Sequence, residues 1–247
     1  MIEFNAVSKI YAGNDRASVD SISFSIAKGE TLVLMGSSGS GKTTLLKMVN
    51  LLQKPSAGFV AINGRDVRDY NIQELRRSIG YIFQGVGLFR HMTVAENLDL
   101  PLKLAHVPKE ECIKRVNELL SFMSLPPAIF RDRFPSELSG GEQQRVGVAR
   151  ALVLNPDILL MDEPFGALDL ITRAELQEEI VQLKKEFNKT IILVTHDMLE
   201  AFKLGDKVAI MHRGRLEQIG SQEELIKNPQ TPFVKQFMHA GLRGVKN

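Results

Sequence analysis

Residues Gly36-Ser37-Ser38-Gly39-Ser40-Gly41-Lys42-Thr43 put three glycines, three serines, one lysine and one threonine into eight consecutive positions. Small residues let successive backbone N–H groups turn toward one point, and such a concave nest holds phosphate oxygens. Lys42 adds a point charge and the Thr43 hydroxyl an oxygen ligand suited to magnesium, with Thr44 next along the same helix start. A flexible glycine turn is the bland alternative. Given average glycine usage, a chance match to G-x-x-x-x-G-K-[ST] in such a chain is on the order of one per cent. Residues 36–44 are therefore expected to bind the phosphates of a nucleotide.

Two further groupings gain weight beside that loop. The apolar run 158–161 ends in Asp162 and Glu163, and in α/β sheets ligands collect at the carboxyl ends of strands. Asp162 is placed to hold magnesium directly or through water, and Glu163 to accept a proton from an attacking water. Leu138-Ser139-Gly140-Gly141-Glu142 opens a helix predicted to reach residue 154. Ser139 and Glu142 have the spacing of a capping box, but so do Thr93/Glu96, Thr172/Glu175 and Ser221/Glu224. Capping alone therefore carries no functional information. The two glycines are the distinguishing part, because they open a helix N-terminus to close approach by an anion.

These groups need elements to position them. Residues 31–35, apolar on both faces, read as a central strand, and 42–52 as a helix with Leu45, Leu46, Val49 and Leu52 at helical spacing. Residues 2–11 and 23–26 read as strands, with a turn at 28–30. From 93 to about 154 the signal is mainly helical, and 108–123 carries Ile113, Val116, Leu119, Leu120 and Met123 on one face. Cys112 beside that stripe reads as a packing residue rather than a reactive thiol. After Asn155-Pro156, strands at 158–161, 191–194 and 208–211 alternate with helices at 168–187 and 198–204. Parallel α/β layers with an inserted helical block at about 89–154 explain this order.

Composition sets outer limits. The chain has 247 residues, 44% hydrophobic and 24% charged, which excludes a disordered or collagen-like chain. Lys+Arg 31 against Asp+Glu 29 leaves a net charge of +2, no electrostatic footprint for nucleic acid. Cys112 is the single cysteine, so no internal disulfide is possible. No apolar run exceeds four residues, too short for a membrane span or a secretory signal. A soluble, cytoplasmic, globular protein is expected.

Over essentially its whole length the chain resembles the ATP-binding cassette (ABC) ATPases. Tyr11, the phosphate loop, Gln84, Leu138–Glu142, Asp162-Glu163, Ala167-Leu168-Asp169 and His196 stand in that family's order. The resemblance implies an α/β fold with a P-loop NTPase (RecA-like) core, an antiparallel β subdomain and an inserted α-helical subdomain. It also implies one domain over 1–247: a nucleotide-binding core at 1–88 and 155–225, a helical subdomain at 89–154 carrying the signature, and a C-terminal extension at 226–247. A head-to-tail homodimer would sandwich two ATPs, each between one subunit's phosphate loop and the other's Ser139-Gly140-Gly141. Tyr11 would stack on adenine, Asp169 would brace the dimer seam, and His196 would contact the γ-phosphate. Gln84 would report Mg2+ and water to the partner, and Thr43, Gln84 and Asp162 would hold the Mg2+. Lys42, Gln84, Glu163 and His196 form the implied catalytic set. Glu142 stands where the commonest signature has Gln, a difference expected to matter little because both can satisfy a helix N-terminal donor.

Each singleton has a plainer alternative: a packed aromatic for Tyr11 on its strand, a helix cap for His196 between strand and helix, and nothing at all for Gln84 outside its position. Residues 81–98 carry Phe83, Val86, Leu88, Phe89 and Met92, either core or a groove for an amphipathic helix of a membrane subunit. The stretches 80–89, 165–173 and 195–201 look like the osmoprotectant (glycine betaine/carnitine/choline) importer ATPases. Two departures are Leu170, where that group usually has Pro, and the lack of paired cystathionine-β-synthase-type domains after the cassette. Gating by such domains is accordingly not expected. The resemblance implies integral-membrane permease subunits, a solute-binding protein of the same system, and a location at the cytoplasmic face of the inner membrane. A polar amino-acid importer is the alternative, and a soluble non-transport ABC ATPase is disfavoured by the lack of a second cassette or long coiled-coil insertion.

Overall fold

The structure, a computed structural model, describes residues 1–13, 15–166 and 168–243. The expectation attached to Ala167, and residues 244–247 of the 226–247 extension, lie outside them. In chain order the strands are β1 Ile2–Lys9, β2 Val19–Ile26, β3 Thr31–Gly36, β4 Ala57–Ile62, β5 Arg65–Asp66, β6 Ile79–Ile82, β7 Ile158–Asp162, β8 Thr190–Val194, β9 Lys207–His212 and β10 Arg215–Gly220. The helices are α1 Lys42–Val49, α2 Ile72–Arg77, α3 Val94–Leu104, α4 Lys109–Phe122, α5 Pro127–Phe130, α6 Gly140–Leu152, α7 Leu170–Phe187, α8 Met198–Leu204, α9 Gln222–Lys227 and α10 Pro232–Arg243. They gather into two compact units, 1–76 with 187–247, and 77–186.

The first unit holds two sheets. An antiparallel sheet runs β2-β1-β4-β5, with Ile2 opposite Ile26 on one side and Ile62 on the other. In β1 the inward Ile2 and Phe4 alternate with exposed Glu3 and Asn5, the period of a half-buried strand. The register slips after Phe4, where Ala6 has φ 44°, so the strand is bulged. β3 pairs in parallel with β8 and β9, and β10 closes that edge antiparallel to β9. All six residues of β3 and all five of β8 are buried, as parallel strands covered on both faces require. The phosphate loop leaves the end of β3 and enters α1.

The second unit pairs β6 in parallel with β7, Ile82 opposite Met161, and carries α3 to α7. Leu98, Leu119, Leu120, Val146, Val148 and Leu176 fill its interior. In α4 the apolar stripe is rotated from the expected one. Cys112 is buried, with its thiol donating to the Val107 carbonyl at 3.4 Å, whereas Ile113 is exposed. Burial pushes that thiol upward in pKa, so Cys112 is the packing residue its position suggested.

Several boundaries differ from expectation for local reasons. α1 ends at Val49 rather than 52, because Leu51 takes φ 54° and turns the chain. β1 ends at Lys9, leaving Tyr11 in the following loop. Thr172/Glu175 is not a capping box: the Asp169 carboxylate accepts from the N–H groups of Ile171 and Thr172, both at 3.1 Å, and starts α7 earlier. The boxes at Thr93/Glu96, Ser139/Glu142 and Ser221/Glu224 are all formed. Among the described residues no helix is long and apolar enough to cross a membrane.

Candidate nucleotide site

The phosphate loop obtains its shape from backbone conformations that side chains oppose. Gly36 has φ 144° and a Cβ there would lie 2.1 Å from the Met211 carbonyl oxygen; Gly41 has φ 101° and would meet the Ser18 carbonyl at 2.2 Å. Only glycine fits either place. Ser37, Ser38 and Gly39 are exposed at the crest, while Ser40 is buried. The Lys42 ammonium curls back over the loop, donating to the carbonyls of Gly36 at 2.8 Å and Ser37 at 2.9 Å. Thr43 and Thr44 follow on the first turn of α1, a helix with no acidic residue there to repel an anion.

Tyr11 lies 3.2 Å from Thr44 through their hydroxyls, so the loop after β1 is tied to α1. A cavity of about 980 Å3 runs from Gly39 to the segment after Tyr11, lined by Arg16, Ser18, His212, Arg213 and Arg215 among others. It is large enough for a nucleoside. In the same unit His196 is exposed at the end of β8. The cap of α8 is Asp197, which accepts from the Leu199 and Glu200 N–H groups. A capping role for His196 is thereby removed.

In the second unit β7 delivers Asp162, 3% exposed, and then Glu163. Glu163 has φ 47°, a left-handed conformation that costs a non-glycine residue roughly 1–2 kcal/mol. The Gln84 amide donates to the Glu163 carboxylate at 3.3 Å, bringing together two residues 79 apart in sequence. The Tyr81 hydroxyl donates to Asp162 at 3.4 Å, and burial together with that carboxylate pushes it far up, keeping it a donor.

The signature forms as its capping box dictates. Glu142 Oε2 accepts from the Ser139 N–H at 2.7 Å, and the Ser139 hydroxyl accepts from the Glu142 N–H at 3.3 Å. Leu138 is buried while Ser139 and Gly140 are exposed. The two glycines divide their work. A Cβ at Gly140 would meet nothing within 4 Å, whereas one at Gly141 would lie 2.1 Å from Thr172 Cγ2. Gly140 thus leaves the helix end open, and Gly141 lets α6 approach α7. Gly141→Ala is expected to lower stability by about 1–2 kcal/mol through overpacking, read as a drop in Tm. Thr172→Ser in the same chain should restore it. Gly140→Ala should leave Tm unchanged or higher, so any loss of ATPase there reports on the open helix end.

Asp169 is exposed, and the Thr172 hydroxyl and backbone N–H hold its carboxyl below the usual range. Next to it, Leu170 is 81% and Ile171 73% exposed.

Sequence reasoning missed two arginines on α6. Arg145 donates to Glu175 at 2.7 Å and lies 3.1 Å from Glu179. Arg150 donates to the Gly87 carbonyl at 2.9 Å, fastening the segment after Gln84 to the signature helix, and burial pulls its guanidinium below its ordinary value. Asn97 is buried and ties Phe89, Met92 and Thr93 backbone groups to α3. No local pattern marks any of these, because each partner is remote in sequence or is a backbone group.

A glycine-built phosphate loop, an acidic strand end and a glycine-opened helix define a nucleotide-binding cassette. The chain belongs to the ABC transporter family, whose pattern matches residues 19–166. It has the ABC ATPase cassette fold: the dimeric ATP-binding cassette MJ0796, in a post-hydrolysis state bound to ADP and Pi, superimposes with TM-score 0.80 at 34% identity, covering 90% of this chain and 98% of that one. The glycine betaine/carnitine/choline transport ATP-binding protein OpuCA of Bacillus subtilis (strain 168) is 48% identical over 238 residues, 96% of this chain and 62% of that protein. The glycine betaine uptake system ATP-binding protein YehX of Escherichia coli (strain K12) is 41% identical over 246 residues, 100% of this chain and 79% of that protein. The chain spans about three fifths of the length of the curated relatives it matches first.

Proposed function

We propose that this chain binds and hydrolyses ATP as the motor subunit of an ABC importer for a small quaternary-amine osmoprotectant such as glycine betaine, carnitine or choline. The carrying observation is that one chain has both a phosphate loop and a separate exposed helix N-terminus opened at Ser139-Gly140. A kinase of small metabolites needs only the first. The second suits the ATP of a facing subunit, and a dimer is the state named for the MJ0796 cassette. Residues 1–247 would act as one cassette in a head-to-tail homodimer.

In this reading residues 36–44 cradle the phosphates, and Tyr11 with the cavity beyond Gly39 takes the nucleoside. Thr43, Asp162 and Gln84 supply hydroxyl, carboxylate and amide oxygens, a hard donor set that fits Mg2+. No group of three or more His, Cys, Asp or Glu gathers among the described residues, so the ion would take its other ligands from phosphate and water. When bound it would neutralise charge building on the phosphate oxygens. Glu163 orients the water and receives its proton, Gln84 holds Glu163 in place, Lys42 and His196 stabilise the transferring group, and Asp169 braces the seam. Phosphoryl transfer asks mainly for such positioning and charge stabilisation.

The cargo assignment rests on the osmoprotectant names carried by OpuCA and YehX; a polar amino-acid importer is the second reading. Permease subunits would seat an amphipathic helix on this chain and so hold it at the cytoplasmic face of the membrane. Phe83 and Phe89 are exposed, and a cavity of about 450 Å3 lined by Ala95, Lys103, Ile113 and Val116 lies in the same unit. No nucleic-acid partner is proposed.

Tagged chain recovered from detergent-solubilised membranes is expected to bring a polytopic permease and a solute-binding protein. That binding protein, titrated with betaine, choline and polar amino acids, decides the cargo. Recovery with ribosomes or nucleic acid, and no membrane protein, would overturn the transport assignment.

A further inference from the structure

The signature helix α6 and the helix after Asp169, α7, meet at two levels one turn apart. At the first, Gly141 gives way to Thr172; at the second, Arg145 reaches Glu175 and Glu179. Thr172, Glu175 and Glu179 follow one another at helical spacing along one face of α7, and Gly141 and Arg145 lie four apart on α6. The Arg145 and Glu179 side chains are only 14% and 12% exposed, while Glu175 is 55% exposed. The Arg145–Glu179 contact at 3.1 Å is an ion pair rather than an aligned hydrogen bond, and burial pushes the Glu179 carboxyl up against the pull of Arg145 and of the Ser124 side chain. A pair so far out of water is a poor source of stability, since an apolar filler of the same size does as well. A planar guanidinium gripping two carboxylates fixes relative rotation and register, which an apolar filler does not.

We propose that Arg145 is a positioning residue: by locking α6 to α7 it presents Ser139-Gly140 and Asp169 to the facing subunit as one rigid surface. This rests on the proposed reading in which both motifs meet the partner's nucleotide site. The clamp sits about one turn behind the open end of α6 and is built from residues other than those of the phosphate loop and Glu163. It should therefore govern closure of the dimer and leave nucleotide capture by each subunit alone.

The test uses full-length chain carrying Glu163→Gln, with ATP-dependent dimerisation followed by size exclusion with light scattering. Arg145→Met fills the volume without the fork, and Arg145→Lys restores charge without it. In that background Arg145→Met is expected to raise the ATP needed for half-maximal dimer at least about fivefold. Arg145→Lys should give a partial rescue, while a fluorescent-nucleotide Kd measured at monomer concentrations should stay unchanged. Glu175→Gln with Glu179→Gln should reproduce the shift, and adding Arg145→Met to that pair should bring little more. An unshifted dimerisation midpoint in Arg145→Met, or a monomer Kd that rises as much as the midpoint, would overturn the proposal alone. Failure of the Glu163→Gln parent to dimerise at any ATP concentration would remove the facing-subunit reading and this proposal with it.

Discussion

Glu163→Gln should bind ATP with near-normal affinity yet turn it over about 10²–10⁴-fold more slowly, the contribution typical of a positioned general base. The exchange keeps the volume and removes only the negative charge and proton affinity. The Gln84 amide, 3.3 Å from the Glu163 carboxylate, can still donate to the new amide oxygen, so the local geometry should persist. The left-handed backbone at Glu163, φ 47°, also survives a change beyond Cβ. With hydrolysis slowed after capture, the closed ATP-bound dimer should accumulate and be visible by light scattering. Single-turnover rates separate this from an affinity effect: a lower kcat with unchanged nucleotide Kd is the expected pattern. Turnover near wild type would strip Glu163 of the role of base.

The parts of the site that were legible in sequence are those whose chemistry is local. A phosphate loop is eight consecutive residues between a strand and a helix, and the Ser139/Glu142 box is closed by atoms three residues apart. Where local signals compete, the sequence leaves the outcome open. Thr172/Glu175 has the spacing of a cap, but Asp169 takes the Thr172 N–H that the Glu175 carboxylate would have accepted from, and Glu175 pairs instead with Arg145, 30 residues away. Strands stabilised by remote partners were the hardest to see. β4 begins Ala57-Gly58 beside the β1 bulge, and β10 carries Arg215, Glu217 and Gln218 on an edge against β9. Neither alternates cleanly, so pairing rather than pattern makes them strands. Cys112 and Ile113 exchange places for a similar reason: α4 turns toward α3 by an angle that the stripe of apolar residues does not fix.

Lys42→Ala is the second large effect expected. Lys42 is 8% exposed and its ammonium is held by the carbonyls of Gly36 and Ser37. Its removal therefore takes away a staple across the loop as well as a charge facing bound phosphate. Hydrogen bonds to a charged group contribute about 1.5–3 kcal/mol, so ATP affinity should fall on the order of 10- to 100-fold. The two losses separate in the comparison with Lys42→Arg, which keeps the charge but cannot fold its broad planar head into a turn built for a compact ammonium. If loop geometry dominates, both variants lose ATP affinity alike; if charge dominates, the arginine variant retains much of it. Thermal scans without nucleotide supply the control, because a fall in Tm in both variants assigns the loss to the staple. ATP affinity unchanged in Lys42→Ala, measured by calorimetric titration of folded protein, would mean that residues 36–44 are a glycine turn and that the nucleotide binds elsewhere.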